Sequence, residues 1–291
     1  GCRLVTDTFV SRIRRGAGLP IVQQVPYFSE MAEDFLQGTE SIVFIGTKPP
    51  VSFFAYPDKK SFLSPDEAEL FELCSVEENG YEALALLSEL SGSPKIANEL
   101  IRPYIADVPT SGDLDVTTLG PLIADIMPEE SIVSDESATS SLIVTPHALQ
   151  AKPHDWLALT GGSIGQGLPL AIGASIAKPD RPVITLHGDG GAMYTVQALW
   201  TQARENLNIT NIIFSNRSYE ILKIELDRVQ AVETGERAAS MFSMDNPPID
   251  WVNLAESMGV QGYKPKTVKE FKDVFSKSVN ESGPSLIEIE I

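Results

Sequence analysis

Cysteine is scarce: the 291 residues hold two, Cys2 and Cys74. Two cysteines give no zinc-ligand spacing and no disulfide framework, and free thiols suit a reducing, cytoplasmic compartment. Long apolar runs are missing too. The longest, Gly167–Ala177, has 11 residues, well short of the ~20 that cross a bilayer as a helix. No charged-then-apolar leader opens the chain. It starts without Met on a strand-like "CRLVTDTF", as expected of a segment of a larger protein. Basic residues are few, 22 Lys and Arg against 40 Asp and Glu, for a net charge of −18. That balance excludes a general nucleic-acid binder, whose affinity rests on basic side chains. It equally argues against docking on an anionic membrane. The Asn-X-Ser/Thr triplets at Asn208, Asn216 and Asn280 are read as chance matches.

What is present is enough apolar material, 43% of residues, for two domains of ordinary size. Short apolar runs alternate with helical patterns. Residues 26–37 have helical spacing, with Tyr27, Met31 and Phe35 on one side. "SIVFIG" (41–46) reads as a strand, residues 68–75 as strand or helix, and residues 80–92 as a helix. A stretch rich in Pro, Gly and Asp follows, placing a linker at 104–115 between domains at 1–103 and 116–291. Beyond it the pattern predicts a helix entered through Asp115, strands at 131–135, 182–189 and 209–216, and helices at 195–205 and 216–229. Two further helices precede a closing strand, "PSLIEIEI". Strands apolar on both faces, alternating with helices, imply an α/β fold with a doubly wound, mostly parallel sheet.

Ligands bind such sheets beyond the carboxyl ends of the strands. "GDGG" (188–191) follows one apolar run and Asn216 follows the next, 27 residues after Asp189. Gly188 and Gly190 allow a sharp turn, and Asp189 then points into the crevice. A carboxylate there is costly unless it is paired or binds a cation, and one Asp with an Asn amide and main-chain carbonyls is an oxygen-only set suited to Mg²⁺. Gly-Asp-Gly by itself arises by chance in roughly one chain in ten of this length. Motif, spacing and strand context together are far more specific.

With these features the sequence resembles the thiamine diphosphate-dependent enzymes, which carry Gly-Asp-Gly and, some two dozen residues on, an Asn-Asn pair. Ser215 stands for the first Asn and Asn216 for the second. The resemblance implies that Asp189, Asn216 and the carbonyl of Ser218 hold Mg²⁺, and through it the diphosphate, with Gly188, Gly190, Gly191 and Tyr219 beside it. "LTGGSIGQGLPLAIGA" (159–174) matches a second family segment. There the carbonyl of Gly162 is expected to accept a bond from the cofactor's aminopyrimidine, and Ile164 to wedge beneath the cofactor and keep it bent. "DESATSS" (135–141) offers Thr139 to the diphosphate, and Ile221 and Leu222 are expected to face the substrate. His147, His154 and His187 read as structural, although His154 lies just upstream of the glycine-rich segment. Glu225 lies near the same pocket without an assigned role.

The resemblance is strongest from about residue 110 onward and points to acetolactate synthase-like and benzoylformate decarboxylase-like large subunits. Residues 1–103 look like the later part of the family's central α/β domain. The implied activity is decarboxylation of 2-oxo acids, with or without joining to a second carbonyl. The family's pyrimidine-binding domain, which supplies a glutamate to the cofactor ring, has no counterpart in these residues. It is expected from another subunit, in a homodimer or tetramer of the full-length protein, and the isolated chain is expected to be inactive. A non-catalytic or regulatory subunit that keeps the cofactor-binding fold is the alternative. A nicotinamide dehydrogenase is disfavoured, because no Gly-x-Gly-x-x-Gly with a following acid comes after the first strand.

Overall fold

The computed structural model describes residues 2–93, 99–102, 108–229 and 235–291. The helices and strands fall into two compact units. The first comprises Gly1–Thr8, Ile21–Glu99 and Arg228–Gln230. Its strands are β1 (Leu4–Thr6) and β3 (Val22–Gln24), paired in parallel, and β4 (Ser41–Ile45) and β5 (Glu69–Cys74), also parallel. Pairing with β4 settles the ambiguous residues 68–75 as strand. Helix α1 (Ser29–Leu36) buries Ala32 and Leu36 against Val25 and Leu63. Helix α2 (Gly80–Leu90) starts at Asn79, whose side chain accepts the Glu82 N–H, and buries none of its residues. Phe53 and Phe54 are exposed and Tyr56 is half-buried. Cys2 and Cys74 are both free.

The second unit comprises Phe9–Pro20, Leu100–Asp227 and Ala231–Ile291. It takes in residues 9–20, which a division at 104–115 assigns to the first domain. The reason is β2 (Ile13–Arg15), which pairs antiparallel with β7 (His154–Leu157). Residues 104–107 of the expected linker lie outside the described residues. The remaining strands are β6 (Ile132–Glu136), β8 (Val183–Gly188), β9 (Ile209–Ser215), β10 (Gln261–Tyr263) and β11 (Ser285–Glu290). They form one seven-stranded sheet in the order β10-β11-β9-β8-β6-β7-β2, parallel except for β2.

Each helix follows from its sequence. Helix α3 (Val116–Ile126) has Asp115 as N-cap, with its side chain accepting the Thr117 and Thr118 N–H groups and Thr118 bonding back. Helix α11 (Val268–Asn280) repeats this device with Thr267 and Glu270. Between them run α4 (Ser141–Ala148), α5 (Gly167–Ala177), α6 (Asp189–Ala192), α7 (Ala198–Arg204), α8 (Glu220–Arg228), α9 (Glu236–Ser240) and α10 (Trp251–Ser257).

Both faces of the sheet are covered, and the strand alternation shows how. Ile212, Phe214, Ile287 and Ile289 pack with Leu119, Leu122, Phe271 and Phe275 of α3 and α11. The intervening Ile213 and Leu286 pack with Leu168, Leu199 and Trp251 of α5, α7 and α10. Phe275 is fully buried, its ring 5.4 Å from that of Phe271. Phe275→Ala is expected to cost about 3–5 kcal/mol, read from the denaturant midpoint of the second unit's transition. A loss under about 1 kcal/mol would mean that α11 is not a true core layer. Among the described residues, no helix is long and apolar enough to cross a membrane.

Candidate cofactor site

The chain runs from β6 out to β7 on one side, then crosses to β8 on the other. That reversal opens a crevice between β6 and β8 at the carboxyl ends, where doubly wound sheets bind ligands. The sequence-predicted residues all follow carboxyl ends of neighbouring parallel strands. Thr139 follows β6, Gly162 and Ile164 follow β7, Gly188–Gly191 end β8 and enter α6, and Asn216, Ser218 and Tyr219 follow β9. Thr139 is half-buried in a single 3₁₀ turn, 138–140.

Asp189 is 3% exposed. Its Oδ1 accepts the Gly190 N–H at 2.8 Å and its Oδ2 the Arg217 N–H at 2.7 Å. Burial pushes its pKa up, while these amides and the Ser215 hydroxyl pull the other way. Ser215, where the family has its first Asn, thus helps to hold the carboxylate. Among the described residues, no basic side chain pairs with Asp189. The partner loop is just as ordered. Asn216 Oδ1 accepts the Ser218 N–H at 2.9 Å, and Arg217 adopts a left-handed φ of 52°. The Arg217 carbonyl accepts the Met244 N–H at 2.8 Å, and the Tyr219 N–H donates to the Phe242 carbonyl at 2.9 Å. Arg217 also reaches Asp245 and Glu290. Gly190 is required by space: a Cβ there would lie 2.6 Å from the Tyr219 ring.

The glycine-rich loop between β7 and α5 is built from left-handed residues, with Gly161, Gly162 and Gly165 at φ 67°, 65° and 94°. The Gly162 carbonyl accepts the Ile164 N–H at 2.9 Å, and Ile164 is 47% exposed. Ile221 is half-buried and Leu222 exposed, both on α8.

Two buried residues meet at the crevice: Glu136, which carried no assigned role in the sequence, and His187, which read as structural. Glu136 accepts the Gly165 N–H at 2.5 Å and the Gly167 N–H at 2.6 Å. Its Oε2 lies 3.2 Å from His187 Nε2. Burial raises the Glu136 pKa, but His187 and the two amides outweigh it and bring it below the ordinary carboxylate value. The signal available was an acidic pair, Asp135 and Glu136, closing the strand at the crevice. The other histidines are structural. His154 opens β7, at the amino end of the strand, opposite the crevice, and its Nδ1 lies 2.7 Å from the Lys152 carbonyl oxygen. Burial holds its pKa down at about 4. His147 fills the space that a Cβ at Gly120 would need, and burial lowers its pKa too.

Residues 138–289 match the family described as "Thiamine pyrophosphate enzyme, C-terminal TPP binding domain". Over 99% of its length the chain is 41% identical to a Mycobacterium tuberculosis protein named "Putative acetolactate synthase large subunit IlvX", covering 56% of that protein. It is 26% identical to benzoylformate decarboxylase of Pseudomonas aeruginosa over 70% of this chain and 38% of that one. Among solved structures, the thiamine diphosphate-dependent 4-hydroxybenzoylformate decarboxylase of Rhodococcus jostii RHA1 superposes with a TM-score of 0.71 at 26% identity. That match covers 92% of this chain and 52% of the other. The chain therefore spans about half the length of the relatives it matches. With the motif matches at the crevice, these likenesses establish that the chain belongs to the thiamine pyrophosphate (thiamine diphosphate) enzyme family and carries its C-terminal cofactor-binding domain.

Proposed function

We propose that the chain supplies the diphosphate-binding half of a thiamine diphosphate- and Mg²⁺-dependent enzyme that decarboxylates 2-oxo acids, in the manner of acetolactate synthase. The observation that carries the reading is Asp189: a buried carboxylate at the switch-point crevice, met by amides but by no basic side chain among the described residues. Such a group is stable when a cation joins it. The neighbouring donors fit Mg²⁺. Asn216 keeps a second lone pair on its amide oxygen, and the Ser218 carbonyl completes an oxygen-only set. When bound, the cofactor supplies an electron sink for the carbon that loses CO₂.

The protein's own residues then hold and orient. Asp189, Asn216 and Ser218 anchor the metal, and Thr139 and the Gly188–Gly191 turn line the diphosphate. Gly162 would offer its carbonyl to the aminopyrimidine, and Ile164 would pack beneath the cofactor. Ile221 and Leu222 face the substrate. A glutamate for the pyrimidine nitrogen comes from a pyrimidine-binding domain outside these residues, across a subunit interface of a homodimer or tetramer.

Calorimetric titration of thiamine diphosphate tests this reading. Binding is expected with Mg²⁺ and not with EDTA; equal binding in both would overturn the metal role. Ile164→Ala is expected to weaken thiamine diphosphate about tenfold, the worth of one apolar side chain's burial. Its affinity for Mg²⁺ with inorganic diphosphate should stay within about twofold, because Ile164 touches only the ring end in this reading. Equal losses on both ligands would remove Ile164 from that role.

A further inference from the structure

We infer that Glu136, paired with His187, is a positioning residue that fixes the loop carrying Gly162 and Ile164 against the end of β8. The inference rests on the cofactor reading for its consequence, but its geometry stands alone. Glu136 and His187 are direct cross-strand partners in the β6–β8 register. They sit at the topological switch point itself, 4% and 0% exposed.

A strand pairing alone would leave the loop between β7 and α5 free to move. Glu136 prevents that, because one carboxylate binds two amides of the loop, those of Gly165 and Gly167. The second opens α5, so the carboxylate also meets the positive end of that helix. His187 closes the arrangement from the other strand. Its Nε2 faces the carboxylate and its Nδ1 lies 3.1 Å from the Gly188 carbonyl oxygen, one residue before Asp189. The far side of the loop is held as well: Thr195 Oγ1 donates to the Gly165 carbonyl at 2.5 Å. Gly165 is therefore gripped at both its N–H and its C=O, and Ile164 is its immediate neighbour.

The packing leaves no slack. A Cβ at Gly167 would lie 2.8 Å from the His187 ring, and one at Gly191 would lie 2.9 Å from Glu136 Oε1. The pair thus ties the ring-facing loop to the metal-facing turn through contacts that neither the Gly-Asp-Gly motif nor Asn216 provides. A buried carboxylate with no such task is commonly replaceable by an apolar residue at no loss. Here the carboxylate is the acceptor for loop amides that apolar side chains would leave unpaired.

Glu136→Gln keeps the size and removes the charge. In this variant the Gly165 and Gly167 amides are expected to exchange with deuterium about 10- to 100-fold faster, the worth of a charged hydrogen bond, while β8 and β9 stay protected. With Mg²⁺ present, affinity for thiamine diphosphate is expected to fall about tenfold or more, and that for inorganic diphosphate less than about threefold. Thr195→Val removes the opposite grip without a buried charge. It is expected to show the same split if Glu136→Gln does not fold. Unchanged amide exchange in Glu136→Gln would overturn the inference whatever the ligand data show. Equal loss on both ligands would also overturn it, reducing the pair to general stability. If the unsubstituted protein binds neither ligand, the cofactor reading fails, and amide exchange alone then decides whether Glu136 fixes the loop.

Discussion

Asp189→Ala is expected to abolish Mg²⁺-dependent binding of thiamine diphosphate, an affinity loss of at least about 100-fold. The magnitude follows from the charges. Loss of a mere outer partner of a metal ligand costs about 10- to 100-fold, and Asp189 is the one carboxylate in the proposed set. A neutral methyl leaves Mg²⁺ with an amide oxygen, a carbonyl and water to offset the diphosphate. The substitution also strips acceptors from the Arg217 and Gly190 amides, so the turn after β9 loses its tie to β8. Asp189→Asn separates the two effects. It retains an acceptor for one amide and keeps the turns in place, yet lacks the charge. Asp189→Asn is expected to fold with near-unchanged thermal stability and still fail to bind the cofactor with Mg²⁺. Retained affinity in Asp189→Asn, by calorimetry, would show that main-chain and amide oxygens suffice and that the carboxylate is structural.

Much of this site was legible because its parts are local. The strands β8 and β9 are apolar on both faces, so their ends were marked by the first glycine and by Asn216. Asp115 announced α3 through the side-chain cap it provides. What escaped depends on partners distant in the chain. The strand β7 begins with His154 and Asp155, a polar pair that reads as loop. It is buried because Arg12 and Arg181 meet Asp155, at 2.9 Å and 2.6 Å. The strand β2 carries Arg14 and Arg15, which look like surface. Arg15 is nevertheless buried, its guanidinium 3.7 Å from the centre of the Trp156 ring. Burial lowers its pKa to about 9, with Asp135 opposing. No periodicity reveals such a stack. Glu136 and His187 are 51 residues apart and meet only because β6 and β8 pair with β7 displaced to the far side. Sequence spacing marked the half of the crevice with Asp189 and Asn216, and only the topology exposes what ties it to the glycine-rich loop.

Adding a pyrimidine-binding domain is expected to raise CO₂ release from a 2-oxo acid from undetectable to readily measured. Activation of the cofactor in this family needs a carboxyl at the pyrimidine nitrogen, as the resemblance implies. Glu136 is at the switch point, but it is buried and its two oxygens accept the Gly165 and Gly167 amides. Asp189 accepts the Gly190 and Arg217 amides, and the proposed reading commits it to Mg²⁺. In the proposed reading neither acid is free for the ring, and the acid that serves it is expected from the pyrimidine-binding domain. A positioned acid or base typically contributes 10²–10⁴-fold, roughly the gap expected between the chain alone and the complemented protein. The comparison is direct: the 291-residue chain is assayed alone, then with the pyrimidine domain of a related enzyme in trans, and in a joined protein, on aliphatic and aromatic 2-oxo acids. Recovery that disappears when the added domain's glutamate becomes Gln would locate the acid there. Robust turnover by the chain alone would mean that an acid within it reaches the ring, and Glu136 would then have to leave the loop that it holds. Silence of the joined protein on every 2-oxo acid, with the cofactor demonstrably bound, would favour a subunit that keeps the fold and the cofactor without the chemistry.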